Sequence, residues 1–161
     1  MQADRDYYSE TLRRELHMTD PQIAIVGPQA GERLNVLGAD MLVKSLGAFF
    51  VADHPVPAGY GVPPHVHDSD DEAFFVIEGA LTLDTDDGPR VAEAGSFVHL
   101  PAGIRHGFRN ETSGLTRVLV LGSSASRLAP MFRDLDRLTA RGGFGPEDVG
   151  ATCAAHGVRI G

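Results

Sequence analysis

Between Arg33 and Gly122 the chain is a succession of short apolar runs, each cut off by turn formers before it could complete a helix. The runs RLNVL, MLVKSLGAFFVA, AFFVIEG, ALTLDT, RVAEA, FVHLP and TRVLVLG are rich in β-branched and aromatic residues, a composition that favours strands. DTDDGP (Asp84 to Pro89) carries an Asp-Gly pair, the strongest short-range hairpin signal in the chain. PAG (Pro101 to Gly103) and NETSG (Asn110 to Gly114) mark further turns. Short strands at this spacing predict an antiparallel sandwich or barrel rather than alternating βα units.

The flanks read differently. After Ser126, Leu128, Met131, Phe132, Leu135 and Leu138 form a one-sided stripe at helical period, with Ser123, Ser124 and Ser126 as N-caps and Gly142 and Gly143 as the stop. A second helix is expected to start at Pro146, with Glu147 and Asp148 in its first turn, and to end before Gly157. Tyr8, Leu12 and Leu16 outline one face of a short N-terminal helix after Asp6. The expected organisation is an N-terminal arm over 1–32, a barrel over 33–122, and a helical extension over 123–161 of the same domain.

A chain of 161 residues has room for one domain with a real core. Its net charge of -8 argues against a nucleic-acid or anionic-membrane surface, which needs clustered Lys and Arg. The first residues, MQADRDYYSETLRREL, contain no apolar core of a secretory signal, so a cytoplasmic protein is expected. The lone cysteine, Cys153, leaves no internal disulfide to form and reads as a small buried residue.

Chemistry concentrates in GYGVPPHVHDSDDEAFFVIEG, Gly59 to Gly79. His65 and His67 are two apart, so on a strand both imidazoles leave the same face. Four acids follow, Asp68, Asp70, Asp71 and Glu72. Glu72 has the wrong parity to share that face on an unbroken strand, so DSDD must bend the chain and Glu72 must enter at the head of the next strand. Pro63 and Pro64 cannot donate to a ladder, so this strand is expected to begin at a sheet edge or barrel mouth. A third imidazole would complete a site, and His106 in GSFVHLPAGIRHGFRN is the best placed, after the Pro-x-Gly turn. Imidazoles with one carboxylate suit a divalent Fe, Mn, Co, Ni, Cu or Zn ion and poorly suit Ca or Mg. Taken singly, each of these residues reads as a polar strand face or a solvated loop.

Taken together, they resemble the two signature motifs of the cupin superfamily at every fixed position. The first runs Gly59, His65, His67, Glu72, Gly79, and the second Gly95, Pro101, Gly103, His106, Asn110. The resemblance covers roughly Arg33 to Gly122 and implies an all-β jelly-roll barrel with short helical extensions. It implies His65, His67, Glu72 and His106 as metal ligands, leaving Asp68, Asp70 and Asp71 to form the bend and its solvated rim. GVPPHVHDSDDEAFFVIEG, GSFVHLPAGIRHGFRN and the tail ending AAHGVRI are similar to single-domain quercetin 2,3-dioxygenase-like cupins. That likeness implies a metal-dependent dioxygenase of a phenolic or enolic, flavonol-like aromatic, with Glu72 as ligand and catalytic base. Fold does not decide between this and a metal-dependent non-redox cyclase or isomerase of polyketide-like substrates, or a non-catalytic small-molecule binder.

Phe74 and Val76 share parity with Glu72, and Phe108 with His106, so these three are candidate pocket residues, with His99 beside them as a possible fourth. Core packing is the plainer reading of each. His17, His54 and His156 have no partner pattern. The C-terminal helices are expected to bury their apolar face on the barrel wall, or else to form a lid. Ile23 to Val26 could pair with the sheet edge of a second subunit, and a homodimer is expected.

Overall fold

A computed structural model describes residues 23, 25–46, 49–123 and 126–161, and the proposed N-terminal helix lies outside them. The strands are β1 (Glu32–Val36), β2 (Ala39–Leu46), β3 (Phe49–Val56), β4 (Gly61–His67), β5 (Glu72–Glu78), β6 (Ala80–Thr85), β7 (Gly88–Glu93), β8 (Phe97–Leu100), β9 (His106–Arg109), β10 (Thr116–Ser123) and β11 (Val158–Ile160). Two helices, α1 (Leu128–Arg141) and α2 (Pro146–Ala155), lie between β10 and β11. The strands form two antiparallel sheets, ordered β1-β2-β3-β10-β5-β8 and β11-β4-β9-β6-β7. Their inward residues, among them Phe74, Val76, Leu81, Val118 and Val120, make one core between the sheets. The architecture is a jelly roll.

Most strand expectations lie within a residue or two of what forms. MLVKSLGAFFVA instead divides into β2 and β3, which pair antiparallel through Leu42↔Asp53 and Leu46↔Phe50. The Asp-Gly hairpin joins β6 to β7, with Thr85 opposite Gly88.

The tail departs further from expectation. α2 stops before Gly157 as expected, but beyond it Val158–Ile160 form β11, a strand not expected, which pairs with β4 through His67, Val66 and His65. The His-x-His segment is therefore not an edge. It lies between β11 and β9, and the missing proline donors are absorbed by a register shift between Val62 and His65. There β9 presses close. A Cβ on Gly107 would sit 2.9 Å from Pro64 N and from Val62 O, so only glycine allows the approach.

The apolar stripe of α1 buries Leu128, Met131, Leu135 and Leu138. Ser124 lies outside the described residues, and neither Ser123 nor Ser126 is the cap: Arg127 is the N-cap, with no side-chain cap bond. The Arg127 amide donates instead to Asp70 Oδ2 at 3.0 Å, and Asp70 is buried, so Asp70 is not part of a solvated rim. Asp68 and Asp71 do sit exposed, Asp68 accepting from Arg159 Nε and Asp71 from the Ala102 amide. The far side of α1 guards the edge strand β1, where Asp136 accepts from Asn35 N at 2.7 Å and Thr139 Oγ1 from Leu37 N at 3.1 Å. Ahead of β1, Ile23 and Ile25 are 95% and 91% exposed. No helix among the described residues is long and apolar enough to cross a membrane.

Candidate metal centre

Three strands converge on one point inside the barrel. His65 and His67 come from β4, His106 opens β9 directly opposite His65, and Glu72 opens β5 after the DSDD bend. All four are buried, and one ligand atom from each lies within 4.8 Å of every other.

Backbone carbonyls orient two of the rings. His65 Nδ1 lies 2.9 Å from Pro63 O, and His106 Nδ1 lies 2.9 Å from Ile104 O. A carbonyl only accepts, so each Nδ1 carries the proton and each Nε2 offers a lone pair to the interior. His65 Nε2 is 3.1 Å from His67 Nε2. Glu72 Oε2 stands 3.8 Å from His67 Nε2 and 3.6 Å from His106 Nε2. Donors at about 2.05 Å from one ion are roughly 2.9–3.4 Å apart at right-angled to tetrahedral geometry, close to these separations. Among the described residues His106 Nε2 is buried with no hydrogen-bond partner, an expensive arrangement for a core with no ligand to receive it, and His67 Nδ1, the ring nitrogen that does not face the cluster, is unpartnered as well. Burial pushes the His65 ring down to about 4 and lowers His67 as well, so both stay neutral, the form that binds metal. The donor set fits a transition-metal ion.

His65, His67 and Glu72 of the cluster face an apolar cavity of about 120 Å³. Phe74 and Phe108 line it, in edge-to-face contact at 5.4 Å. Met131 and Leu135 of α1 and Val149 and Cys153 of α2 line it as well, so the helices roof the cavity while burying their apolar faces. The two expectations for them are one arrangement. Leu37 also reaches the cavity, from a β1–β2 turn that holds it at φ 54°, a strained value for a non-glycine residue.

Two pocket candidates fall elsewhere. Val76 is wholly buried in the sheet core and does not line the cavity. His99 is exposed, because it pairs with Ala73 on the outward face of β5, opposite in parity to Glu72 and Phe74. Conversely, His54 and Tyr60 line the cavity without having been singled out. His54 follows Phe50 and Ala52 in strict alternation on β3, and that inward parity was the available signal.

Residues 54–122 match the family model described as the cupin domain. Over 116 residues, 66% of this chain, the sequence is 29% identical to quercetin 2,3-dioxygenase of Bacillus subtilis (strain 168). That match covers 33% of the relative, so the chain spans about a third of its length. Among solved structures, a sugar phosphate isomerase from a cupin superfamily of Silicibacter pomeroyi superposes with a TM-score of 0.56 at 26% identity, over 62% of this chain and 75% of that one. The polyketide cyclase RemF from Streptomyces resistomycificus superposes at 0.57 with 23% identity, over 64% and 80%, a likeness of fold.

Proposed function

We propose that this chain, a member of the cupin superfamily with one cupin domain, is a metal-dependent dioxygenase of a neutral phenolic or enolic aromatic, flavonol-like in its oxygen pattern. His65, His67, Glu72 and His106 would hold one divalent transition-metal ion. The observation that carries the reading is the cavity at that cluster: its described lining has aromatic and aliphatic side chains and no lysine or arginine. A sugar phosphate would arrive there with its charge unanswered, which disfavours the activity named for the Silicibacter structure. A planar aromatic suits the Phe74–Phe108 pair. The match to a quercetin 2,3-dioxygenase supports the same substrate class.

The chemistry supplied by a bound ion is Lewis-acid polarisation of the substrate's enol or carbonyl oxygen. The chain's own residues do the rest. Glu72 Oε2 lies beside His67 and His106 at the cavity wall, in reach of a hydroxyl proton at the cluster. The apolar side chains of α1 and α2 that line the cavity, Met131, Leu135, Val149 and Cys153, would limit the access of water to a bound substrate.

The same cavity suits a non-redox cyclase or isomerase of a neutral polyketide-like substrate, and oxygen dependence separates the two. The test loads the protein in turn with Fe, Mn, Co, Ni, Cu and Zn and follows oxygen uptake with quercetin and with catechol. The reading expects uptake matched to substrate loss, abolished by chelation and by His106→Ala. Conversion that proceeds equally without oxygen would transfer the site to cyclase or isomerase chemistry. Ligand binding without turnover under any metal would make the protein a binder.

A further inference from the structure

One polar group in the cavity belongs neither to the four-residue cluster nor to the apolar wall. His54 lies on β3, is 3% exposed, and lines the cavity. Its Nδ1 is 3.2 Å from Asp40 O. Because that carbonyl only accepts, the proton sits on Nδ1 and the neutral ring turns a bare lone pair out at Nε2. Burial holds its pKa down, so the neutral ring persists at neutral pH. Nε2 has no hydrogen-bond partner among the described residues.

Its aromatic neighbours do not satisfy it. The Tyr60 ring packs edge-on at 6.0 Å, but its hydroxyl donates to Val36 O at 3.1 Å. Phe108 also packs edge-on, at 6.3 Å, and offers no donor. An acceptor on a nearly buried ring that lines the cavity, with no partner among the described residues, is what a site built to recognise a hydroxyl offers before the hydroxyl arrives.

Its position is also specific. Glu72 shares a row of the sheet with Gly122 and Phe50, whereas His54 lies four residues further along β3 in the row of Val118 and Val76. Phe108 touches both His54 and Phe74, so an aromatic ring between His54 and the cluster would lie against it.

We propose that His54 is a ligand-binding residue whose Nε2 accepts a hydrogen bond from a hydroxyl on the part of the substrate remote from the metal cluster. The inference rests on the functional reading above in taking the cavity as the substrate's seat. It narrows the substrate to an aromatic with two oxygen functions, one for the cluster and one hydroxyl donor for His54. An ether or carbonyl at the second position has no proton to give and is rejected.

The test compares phenol with anisole, single-ring probes that differ in the donor, on chelator-treated and on zinc-loaded protein. Titrations follow the ¹⁵N resonances of labelled histidine. Phenol should bind roughly fivefold more tightly relative to anisole than it does to His54→Phe, in both metal states. The His54 Nε2 resonance should move with phenol and stay still with anisole. An undiminished phenol preference in His54→Phe would overturn the proposal, including a preference that vanishes only when zinc is removed, which would assign phenol to the cluster. If His54→Phe does not fold, the wild-type resonance decides, and an Nε2 signal indifferent to phenol refutes the assignment. Failure of the dioxygenase reading looks different: oxygen uptake is absent while the His54-dependent preference for phenol stands.

Discussion

His65 illustrates how a single residue carries both a site and a penalty. Its ring is buried beside two other imidazoles, and that burial holds it down to about 4 in the metal-free protein. His67 and His54 are lowered for the same first reason. In the unfolded chain each titrates near 6.5. Between about 4 and 6.5 the unfolded chain binds protons that the fold refuses, so stability rises with pH through that window. It is fully present above about 6.5 and lost toward pH 4. For His65 alone the difference is roughly 3 kcal/mol. Chemical denaturation of chelator-treated protein across this range should show that acid loss, and saturating zinc should displace it to lower pH, since the ion binds only neutral rings. A flat profile would mean that the imidazoles are hydrated when the ion is absent. At this scale much was legible: parity put His65 and His67 on one face, and the bend put Glu72 at a strand head. His54 was passed over because a single histidine in an alternating strand has no partner in sequence. Its partners, Asp40, Tyr60 and Phe108, are brought to it only by the sheets.

Among the elements, α1 has two tasks and its stripe announces only one. The apolar face roofs the cavity, while Asp136 and Thr139 satisfy backbone donors on and just beyond edge strand β1. Asp136→Ala leaves the Asn35 amide without its charged acceptor and should lower stability by about 1–2 kcal/mol, or Tm by roughly 2–6 °C. Asp136→Asn keeps an acceptor oxygen and should fall within about half a kcal/mol of the parent. Equal losses in the two variants, measured by thermal unfolding, would show that the bond contributes little. The element that escaped sequence reading is β11. Three residues are too few for a periodic signal, and Val158–Ile160 become a strand because β4 lacks a neighbour on that side. The tertiary context also gave Asp70 to the head of α1, replacing the serine caps that local pattern suggested.

For the whole molecule, the size of the cavity sets the terms of function. About 120 Å³ is somewhat smaller than an engineered cavity that holds one benzene ring, so a single ring already fills the space between the sheets and helices. A two-ring flavonol needs the α1–α2 roof to yield. Met131→Ala removes roof volume and should lower stability by roughly 2–4 kcal/mol while tightening quercetin several-fold relative to catechol. Calorimetric titration of both ligands checks this, and an unchanged ratio would mean that flavonols enter by another route or are not ligands.

The division between chain and fold follows the range of the forces involved. Strand alternation, the bend before Glu72, the Pro-x-Gly turn before His106 and the helical stripe of α1 are local, set by backbone sterics and side-chain parity, so the sequence by itself determined an antiparallel sandwich or barrel with His65 and His67 on one face, while the jelly roll and the full ligand set came with the resemblance to cupins. The roof over the cluster, the closing strand β11, the buried Asp70 and the place of His54 on the cavity wall depend on contacts between residues far apart in the chain. Those contacts exist only when packing brings them together, and the tertiary structure alone decided them.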